Sequence, residues 1–293
     1  MMQYVLVVMT SSPLPSDVLD QMDRSLAERN LNLDGVQWLY PDLAIEGYFE
    51  ADEAPDLSGA FPGLAADIAV VPREGRRKKL LIADMDSTII TSESLDDLAR
   101  LSGKGDEVAA ITARSMRGEL DFSQSLIERV KMIGGQDAGL IQTIIDEVTC
   151  NDGAETLVGT MNAAGARTIL ASGGFTFLTE VVAGRLGFDE HYANTLLVED
   201  GRITGGVTMP ILDQEAKRTR LDLTTEEMGI TADEVVTVGD GANDRGMTTR
   251  AGLGVAYRGK DALKAVADAT LDHADLRGLL WLQGYTEDEL VTP

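Results

Sequence analysis

Three short apolar runs have the length and composition of strands buried in a parallel sheet. They lie at 80–83, 167–171 and 235–238, and each is followed by polar residues and then by a helical stretch. Apolar runs of four to eight residues between turn signals are typical of strands that are covered on both faces. Their alternation with helices predicts an α/β core with a mostly parallel, doubly wound sheet.

The first 72 residues show a mixed pattern. Four strand-like runs and one helix with a single apolar face are predicted at 4–9, 15–29, 36–40, 44–49 and 66–71. This order, with room for a second helix before the last strand, is typical of a ferredoxin-like (ACT-like) α+β domain of the kind found in amino-acid-sensing modules. Prolines and glycines interrupt that second helix. We expect residues 1–72 to serve docking or dimerisation, with effector binding as the alternative.

The middle of the chain is predicted to be an inserted helical cap. Residues 73–79 carry the densest positive run, which we expect to be a solvated linker; a nucleic-acid patch is the alternative. Residues 92–150 contain only helical patterns, the first capped by Ser94. The catalytic core is therefore predicted at 80–91 and 151–293. Within it, runs at 192–198 and 202–209 predict a β-hairpin.

Polar residues follow all three core strands. Asp84 and Asp86 follow the first, Ser172-Gly-Gly the second, and Asp240-Gly-Ala-Asn-Asp244 the third. Ligands of open α/β sheets bind at this end of the strands. Paired carboxylates there are costly to bury without a metal or a cation, and hard oxygen ligands suit Mg²⁺. A glycine turn that leads into a helix can hold a phosphate.

Each of these features has an ordinary explanation when it stands alone, such as an Asx turn, a tight strand–helix connection or a surface lysine. Lys217 is the only lysine between Lys131 and Lys260, which makes it the candidate ammonium of the core. Together the features supply what phosphoryl transfer to a carboxylate needs: a nucleophile, a metal site, a phosphate cradle and a neutralising cation.

The composition disfavours several classes of binding partner and cellular location. The chain has 49 acidic against 25 basic residues, a formal charge of −24, and such a surface repels nucleic acid and anionic membranes. A halotolerant surface is a second explanation of the acidity. Cys150 is the only cysteine, which excludes a disulfide framework and fits the cytoplasm. The first apolar run is too short for a secretory signal. We expect a cytoplasmic enzyme with a small-molecule substrate.

Over residues 78–285 the chain resembles the haloacid dehalogenase (HAD) superfamily of aspartyl-phosphate enzymes, and within it the phosphoserine phosphatases. The motifs that carry the resemblance are Asp84-Met-Asp-Ser-Thr88 with Glu93, Met116-Arg-Gly-Glu-Leu-Asp-Phe122 leading to Arg129, Ser172-Gly-Gly-Phe175, and Gly239-Asp-Gly-Ala-Asn-Asp-Arg-Gly-Met247. The resemblance implies a HAD-like core and Mg²⁺-dependent hydrolysis of O-phospho-L-serine, the final step of serine biosynthesis.

The resemblance also implies roles for the strand-end residues. Asp84 is the expected nucleophile, and Asp86 the general acid that protonates the leaving oxygen and then the base that activates water. The implied ligands of Mg²⁺ are Asp84, the backbone carbonyl of Asp86, and Asp240, with Asp244 supporting them.

Substrate recognition is implied for the remaining motif residues. The expected phosphate and substrate contacts in the core are Ser172, the Gly173 N–H, Lys217 and Asn243. A zwitterionic amino-acid end requires one anion and one cation, and Glu93 for the ammonium and Arg129 for the carboxylate meet that need. Met116 and Phe122 are expected to shield the closed pocket from water.

Two alternatives remain at this level. One is a HAD enzyme that acts on another small phosphomonoester or passes the phosphoryl group to another alcohol. The other is a non-catalytic amino-acid sensor built from the N-terminal domain and an inactive phosphatase fold. The sequence also leaves open whether the chain forms a homodimer.

Overall fold

The computed structural model describes residues 1–57, 59–117 and 119–292, apart from the side chain of Met116. The strands are β1 Met2–Met9, β2 Gly35–Tyr40, β3 Ala44–Ala51, β4 Asp67–Pro72, β5 Leu80–Ala83, β6 Arg167–Phe175, β7 Glu190–Asn194, β8 Leu196–Glu199, β9 Arg202–Val207, β10 Val235–Gly239, β11 Leu253–Tyr257 and β12 Ala269–Leu271. The α-helices are α1 Val18–Ala27, α2 Ser94–Leu101, α3 Gly105–Met116, α4 Phe122–Met132, α5 Gly139–Glu147, α6 Ala154–Ala163, α7 Thr176–Leu186, α8 Gln214–Met228, α9 Arg245–Arg250, α10 Asp261–Lys264 and α11 Gly278–Leu282.

A six-stranded parallel sheet, in the order β12-β11-β10-β5-β6-β7, forms the centre of the molecule. Leu80 at the start of β5 pairs with Val235 of β10 and with Arg167 of β6, so these three strands start level. Side chains alternate along β5, with Leu81 on one face and Ile82 on the other, each in a separate apolar cluster. The predicted α/β core is confirmed, and the polar strand ends meet at one edge.

The cap consists of α2 to α5 and receives the β8–β9 hairpin against α4. The run predicted as one strand at 192–198 is instead divided between β7 of the main sheet and β8 of the hairpin. Asn194 provides the physical reason. Its buried amide donates to the Gly173 carbonyl at 2.9 Å and accepts from the Leu212 N–H at 2.7 Å, and so it turns the chain away from the sheet.

The cap is joined to the core by two neighbouring chain segments. The Asn151 amide donates to the carbonyls of Thr88 and Ile90, at 2.8 and 3.1 Å, and the Thr91 N–H donates to the Thr149 carbonyl at 3.0 Å. The chain therefore leaves and re-enters the core side by side, which fixes the position of the cap above the strand ends. Of the helices in the described part of the chain, none is long and apolar enough to cross a lipid bilayer.

The N-terminal sheet is antiparallel, in the order β2-β3-β1-β4, as expected for a ferredoxin-like unit. Alternate residues of β1 serve two cores: Leu6 packs against α1, whereas Val5 and Val7 pack in the same cluster as Trp281 of α11. Between β3 and β4, residues 52–57 and 59–66 contain no helix. The prolines and glycines that interrupt the helical pattern in this stretch account for its absence.

The basic run before β5 is not simply solvated. Arg76 lies between the N-terminal sheet and the core, where it donates to Glu46 of β3 at 2.7 Å and to the carbonyls of Trp281 and Leu282 at 3.1 Å each. Its side chain is only 10% exposed, because the buried Glu46 carboxylate and the α11 carbonyls give it partners on both sides. The expectation of a solvated segment is therefore wrong for this residue.

Replacing Arg76 by alanine is expected to lower the free energy of unfolding by about 3 kcal/mol, because it leaves the buried Glu46 carboxylate without its cation. Urea denaturation measures this change. Lys79→Ala is the matched control, because the Lys79–Glu234 pair has side chains 62% and 31% exposed and is expected to contribute less than about 1 kcal/mol. Equal losses in the two variants would contradict the view that burial makes the Arg76–Glu46 pair matter more than an exposed pair.

Candidate active site

Asp84 is the first residue after β5, and its backbone still follows the sheet, since its N–H donates to the Val238 carbonyl at 2.9 Å. The carboxylate is buried, with an exposed fraction of 2%. Its Oδ1 accepts from the Met85 N–H at 2.8 Å and from the Lys217 ammonium at 2.6 Å. In the part of the chain that the structure describes, no group donates a hydrogen bond to Oδ2. That oxygen is the one left for a ligand.

Lys217 lies in the first turn of α8 and is 1% exposed. It donates to Asp84 and to Oδ1 of Asp244, at 2.6 and 2.7 Å. Although burial alone would lower it, the carboxylates of Asp244 and Asp84 raise the pKa of Lys217. The second oxygen of Asp244 accepts from the N–H groups of Asp240 and Gly241, at 3.1 Å each. A charged lysine therefore fastens α8 to the ends of β5 and β10.

The acidic residues at these strand ends form a cluster suited to a cation. Asp84, Asp240 and Asp244 each place a carboxylate oxygen within 4.8 Å of the others. Burial raises the pKa of Asp84, and the Asp244 carboxylate adds to this effect; burial also raises the pKa of Asp240. Because both oxygens of Asp244 already accept hydrogen bonds, Asp84 and Asp240 are the side chains with oxygens to spare. This donor set fits a divalent cation with oxygen ligands.

Asp86 has a different environment from Asp84. Its Oδ1 accepts from the Ser94 N–H at 2.8 Å, and its Oδ2 accepts from the Ser172 hydroxyl at 3.2 Å. Burial raises the pKa of Asp86 and outweighs these hydrogen bonds, which favour the charged form. The prediction that Ser94 caps α2 is wrong, because Glu93 occupies the N-cap position and Ser94 offers Asp86 an unpaired N–H of the helix start.

Two glycines after Ser172 allow close approach at this end of β6. A Cβ atom on Gly174 would lie 2.5 Å from Oδ2 of Asp86, and one on Gly173 would lie 2.7 Å from Cζ of Phe122. Only glycine therefore lets Asp86 and the cap residue Phe122 rest on the turn. The Ser172 hydroxyl itself lies below the turn, where it accepts from the Gly174 N–H at 2.8 Å.

The cap contributes one acidic and one basic side chain. Oε1 of Glu93 accepts from the Ser87 hydroxyl at 2.7 Å, and burial, assisted by the Asp86 carboxylate, raises the pKa of Glu93 to about 7. Arg129 reaches in from α4 with a side chain that is 16% exposed. Burial lowers the pKa of Arg129, and its buried Nε has no hydrogen-bond partner among the described residues. A buried donor without a partner indicates a position where a ligand acceptor can bind.

A cavity of about 230 Å³ separates these two sets of groups. The predicted site residues that line it are Asp84, Asp86, Glu93, Phe122, Arg129, Gly173, Asp240 and Asn243. Two further predicted phosphate contacts, Ser172 and Lys217, lie beneath the cavity wall and bond to Asp86 and Asp84. The predicted contact Met116 is in α3, and its side chain lies outside the described residues.

Two charged lining residues were not predicted as site residues. Lys260 donates to Oδ2 of Asp240 at 3.1 Å. It follows β11, so it could have been predicted from the tendency of ligands to bind at the carboxyl ends of parallel strands. Asp96 lies one helical turn beyond Glu93, with its Oδ1 3.9 Å from Nη1 of Arg129. The sequence could have indicated Asp96, because it lies three residues after Glu93 and helix positions three apart share a face.

The comparisons with known proteins agree with this geometry. A model of the haloacid dehalogenase-like hydrolase family matches residues 81–248. A phosphoserine phosphatase from Archaeoglobus fulgidus is 39% identical over 218 residues, which are 74% of this chain and 63% of that protein. This chain thus spans less than two thirds of the length of that relative.

Two further similarities cover different shares of the chain. A probable phosphoserine phosphatase from Schizosaccharomyces pombe is 34% identical over 292 residues, with 99% of this chain and 97% of that protein aligned. The solved structure of a phospho-aspartyl intermediate analogue of phosphoserine phosphatase has a TM-score of 0.66 at 36% identity, over 70% of this chain and 98% of that one. The chain belongs to the phosphoserine phosphatases of the haloacid dehalogenase-like hydrolase family.

Proposed function

We propose that this chain hydrolyses O-phospho-L-serine to L-serine and inorganic phosphate through an aspartyl phosphate on Asp84. The observation that carries the proposal is a single cavity with a phosphoryl-transfer set at its base and an acid–base pair of opposite charge in its cap. The names of the similar proteins support it. We also propose a role in serine synthesis in the cytoplasm, which the lone Cys150 supports because such thiols suit a reducing compartment.

In the first step, Oδ2 of Asp84 forms a bond to phosphorus while the bond from phosphorus to the serine oxygen breaks. Lys217 and the Met85 N–H hold Oδ1 and orient the other oxygen towards the cavity. Asp86 gives its proton to the leaving oxygen, a role supported by its raised pKa. We assign the Gly173 N–H and Asn243, which line the cavity, and Ser172 and Lys217, which lie directly beneath its wall, to the phosphate oxygens and the substrate.

In the second step, water attacks phosphorus and the bond to Asp84 breaks. Asp86 takes the proton of that water, which restores the protonated acid for the next turnover. The two carboxylates are suited to different roles because their partners differ: Asp84 is paired with an ammonium, and Asp86 with a hydroxyl and an amide N–H.

We further propose that the divalent cation is Mg²⁺. The carboxylates of Asp84 and Asp240 and the backbone carbonyl of Asp86 would hold it, and Asp244 would support this arrangement through its hydrogen bonds to the turn. Bound there, the ion would neutralise charge on the phosphate oxygens. The hard oxygen donors of the cluster support the choice of metal.

Specificity for the amino-acid end is assigned to the cap. Glu93 pairs with the substrate ammonium and Arg129 with its carboxylate, while Phe122 and Met116 exclude water from the closed pocket. The unpartnered Nε of Arg129 supports this role, because a carboxylate can accept from Nε and one terminal nitrogen together. The two residues lie on separate cap elements, so they can discriminate the spacing of the two charges.

Asp84→Asn is expected to lower kcat by at least about 10³-fold, because the amide is a poor nucleophile of nearly the same shape. Phosphate release from O-phosphoserine measures the loss, and a hydroxylamine-labile phosphoenzyme is expected in the unmodified chain alone. Asp222→Asn is the control, since that partly exposed aspartate of α8 pairs with Arg250 away from the cavity. Turnover retained by Asp84→Asn would exclude the covalent role of Asp84.

Arg129→Ala is expected to lower kcat/KM for O-phosphoserine by about 10²-fold, because a buried charge partner of the carboxylate is lost. Hydrolysis of phosphoethanolamine, which lacks that carboxylate, is expected to change by less than about threefold. Arg114→Ala is the matched control, since this cap arginine pairs with Glu128 and is 41% exposed. If Arg129→Ala affects both substrates equally, the specificity role of Arg129 is wrong.

The raised pKa of Glu93 predicts a pH dependence of substrate binding. Below a pH of about 7 the side chain becomes neutral and no longer pairs with an ammonium, so KM for O-phosphoserine is expected to rise towards tenfold per pH unit. Steady-state kinetics from pH 5.5 to about 8.5 measure the rise. Glu93→Gln should remove it, and phosphoglycolate, which has no ammonium, controls for titration of the phosphate. A dependence that persists in Glu93→Gln would refute the assignment.

A further inference from the structure

The guanidinium of Arg129 has an incomplete set of partners. Its side chain is 16% exposed, and its buried Nε has no hydrogen-bond partner in the described part of the chain. The carboxylate that the structure pairs with it belongs to Asp96, at 3.9 Å between Nη1 and Oδ1. That distance allows attraction between the charges but is too long for a hydrogen bond. Arg129 is thus held loosely by a counter-ion inside the substrate cavity.

Asp96 lies in the first turn of α2 and lines the same cavity as Glu93 and Arg129. Acidic residues are common in this part of a helix, so position alone assigns it no role. Its neighbour Asp97 provides the comparison. Asp97 has the same charge in the same turn, but it pairs with Arg100 at 3.2 Å and does not line the cavity. Of these two aspartates, only Asp96 is placed to act on a ligand of Arg129.

We propose that Asp96 is a specificity-determining residue that competes with the carboxylate of the bound amino acid for Arg129, and so weakens the binding of both substrate and product. This inference rests on the proposed function, because it takes Arg129 as the carboxylate partner. The Asp96 side chain is 50% exposed, so it can withdraw into solvent when a ligand carboxylate arrives.

The competition affects both KM and the release of the product. O-phosphoserine and serine share the amino-acid end, so a contact there stabilises the substrate, the transition state and the product alike. Uniform binding of this kind lowers KM without raising kcat, and it also slows release of the product. Because Asp96 remains near Arg129 as a counter-ion, it weakens the binding of serine after the phosphate has left. Asp96 therefore favours release at the cost of a higher KM.

The test compares Asp96→Asn with the unmodified chain. In the variant, both KM for O-phosphoserine and the inhibition constant of L-serine are expected to fall about three- to fivefold, as suits the loss of one half-exposed charge pair. For phosphoethanolamine, which lacks the carboxylate, KM is expected to change by less than about twofold. Asp96→Glu keeps the charge and is expected to stay near the unmodified values, and Asp97→Asn controls for the net charge and the helix start.

Three results would overturn the inference: a KM for O-phosphoserine that rises in Asp96→Asn, one that does not change, or an equal fall in Asp97→Asn. A rise would show that Asp96 orients Arg129 for the substrate instead of competing with it. Failure of the proposed function has a different signature, because the unmodified chain would then show no preference for O-phosphoserine over phosphoethanolamine. The two ideas can therefore fail separately.

Discussion

The buried ammonium of Lys217 is the interaction on which the site depends. An unpaired ammonium with an exposed fraction of 1% would be prohibitively costly, so the fold must bring carboxylates to it. Asp84 comes from the end of β5 and Asp244 from the turn after β10, and both bond to the same nitrogen. Asp244 in turn accepts two backbone N–H groups of its own turn. One lysine of α8 thus fixes the relative position of two strand ends and selects which oxygen of Asp84 faces the cavity.

The same balance of charges explains how a strongly acidic protein can admit an anionic substrate. The chain carries a formal charge of −24, yet three cations converge on the cavity region: Lys217 beneath it, Lys260 beside Asp240 and Arg129 in the cap. Lys217 and Lys260 are each bonded to a carboxylate, and Arg129 has only a loose partner. At the base of the cavity the three carboxylates of Asp84, Asp240 and Asp244 therefore outnumber the two ammonium groups, and a divalent cation there would supply the positive charge that an anionic substrate needs.

The strand ends could be predicted from the sequence because parallel strands that start level bring their carboxyl ends together, whatever the intervening chain does. The individual hydrogen bonds at these strand ends depend on local backbone geometry, which the spacing of residues in the sequence does not predict. Asp86 meets the Ser94 N–H through a turn in which Ser87 has a φ of +56°, and Asn194 divides an apolar run between two sheets. Lys260 was missed because the residues after β11, Arg258-Gly-Lys260, match no motif, although Lys260 follows a strand end as Asp84 does.

Glu93 connects the two halves of the site. It is the N-cap residue of the first cap helix, and its carboxylate accepts from the Ser87 hydroxyl in the loop after β5. A charge change on Glu93 is therefore felt both by the cap and by the loop that carries Asp86. Burial raises the pKa of Glu93 to about 7, and under the proposed function the substrate ammonium beside it would favour the ionised form. If Glu93 pairs with the substrate ammonium as proposed, the same carboxylate accepts from Ser87 in the loop that carries Asp86, so the contact to the amino-acid end lies one hydrogen bond from the reacting groups.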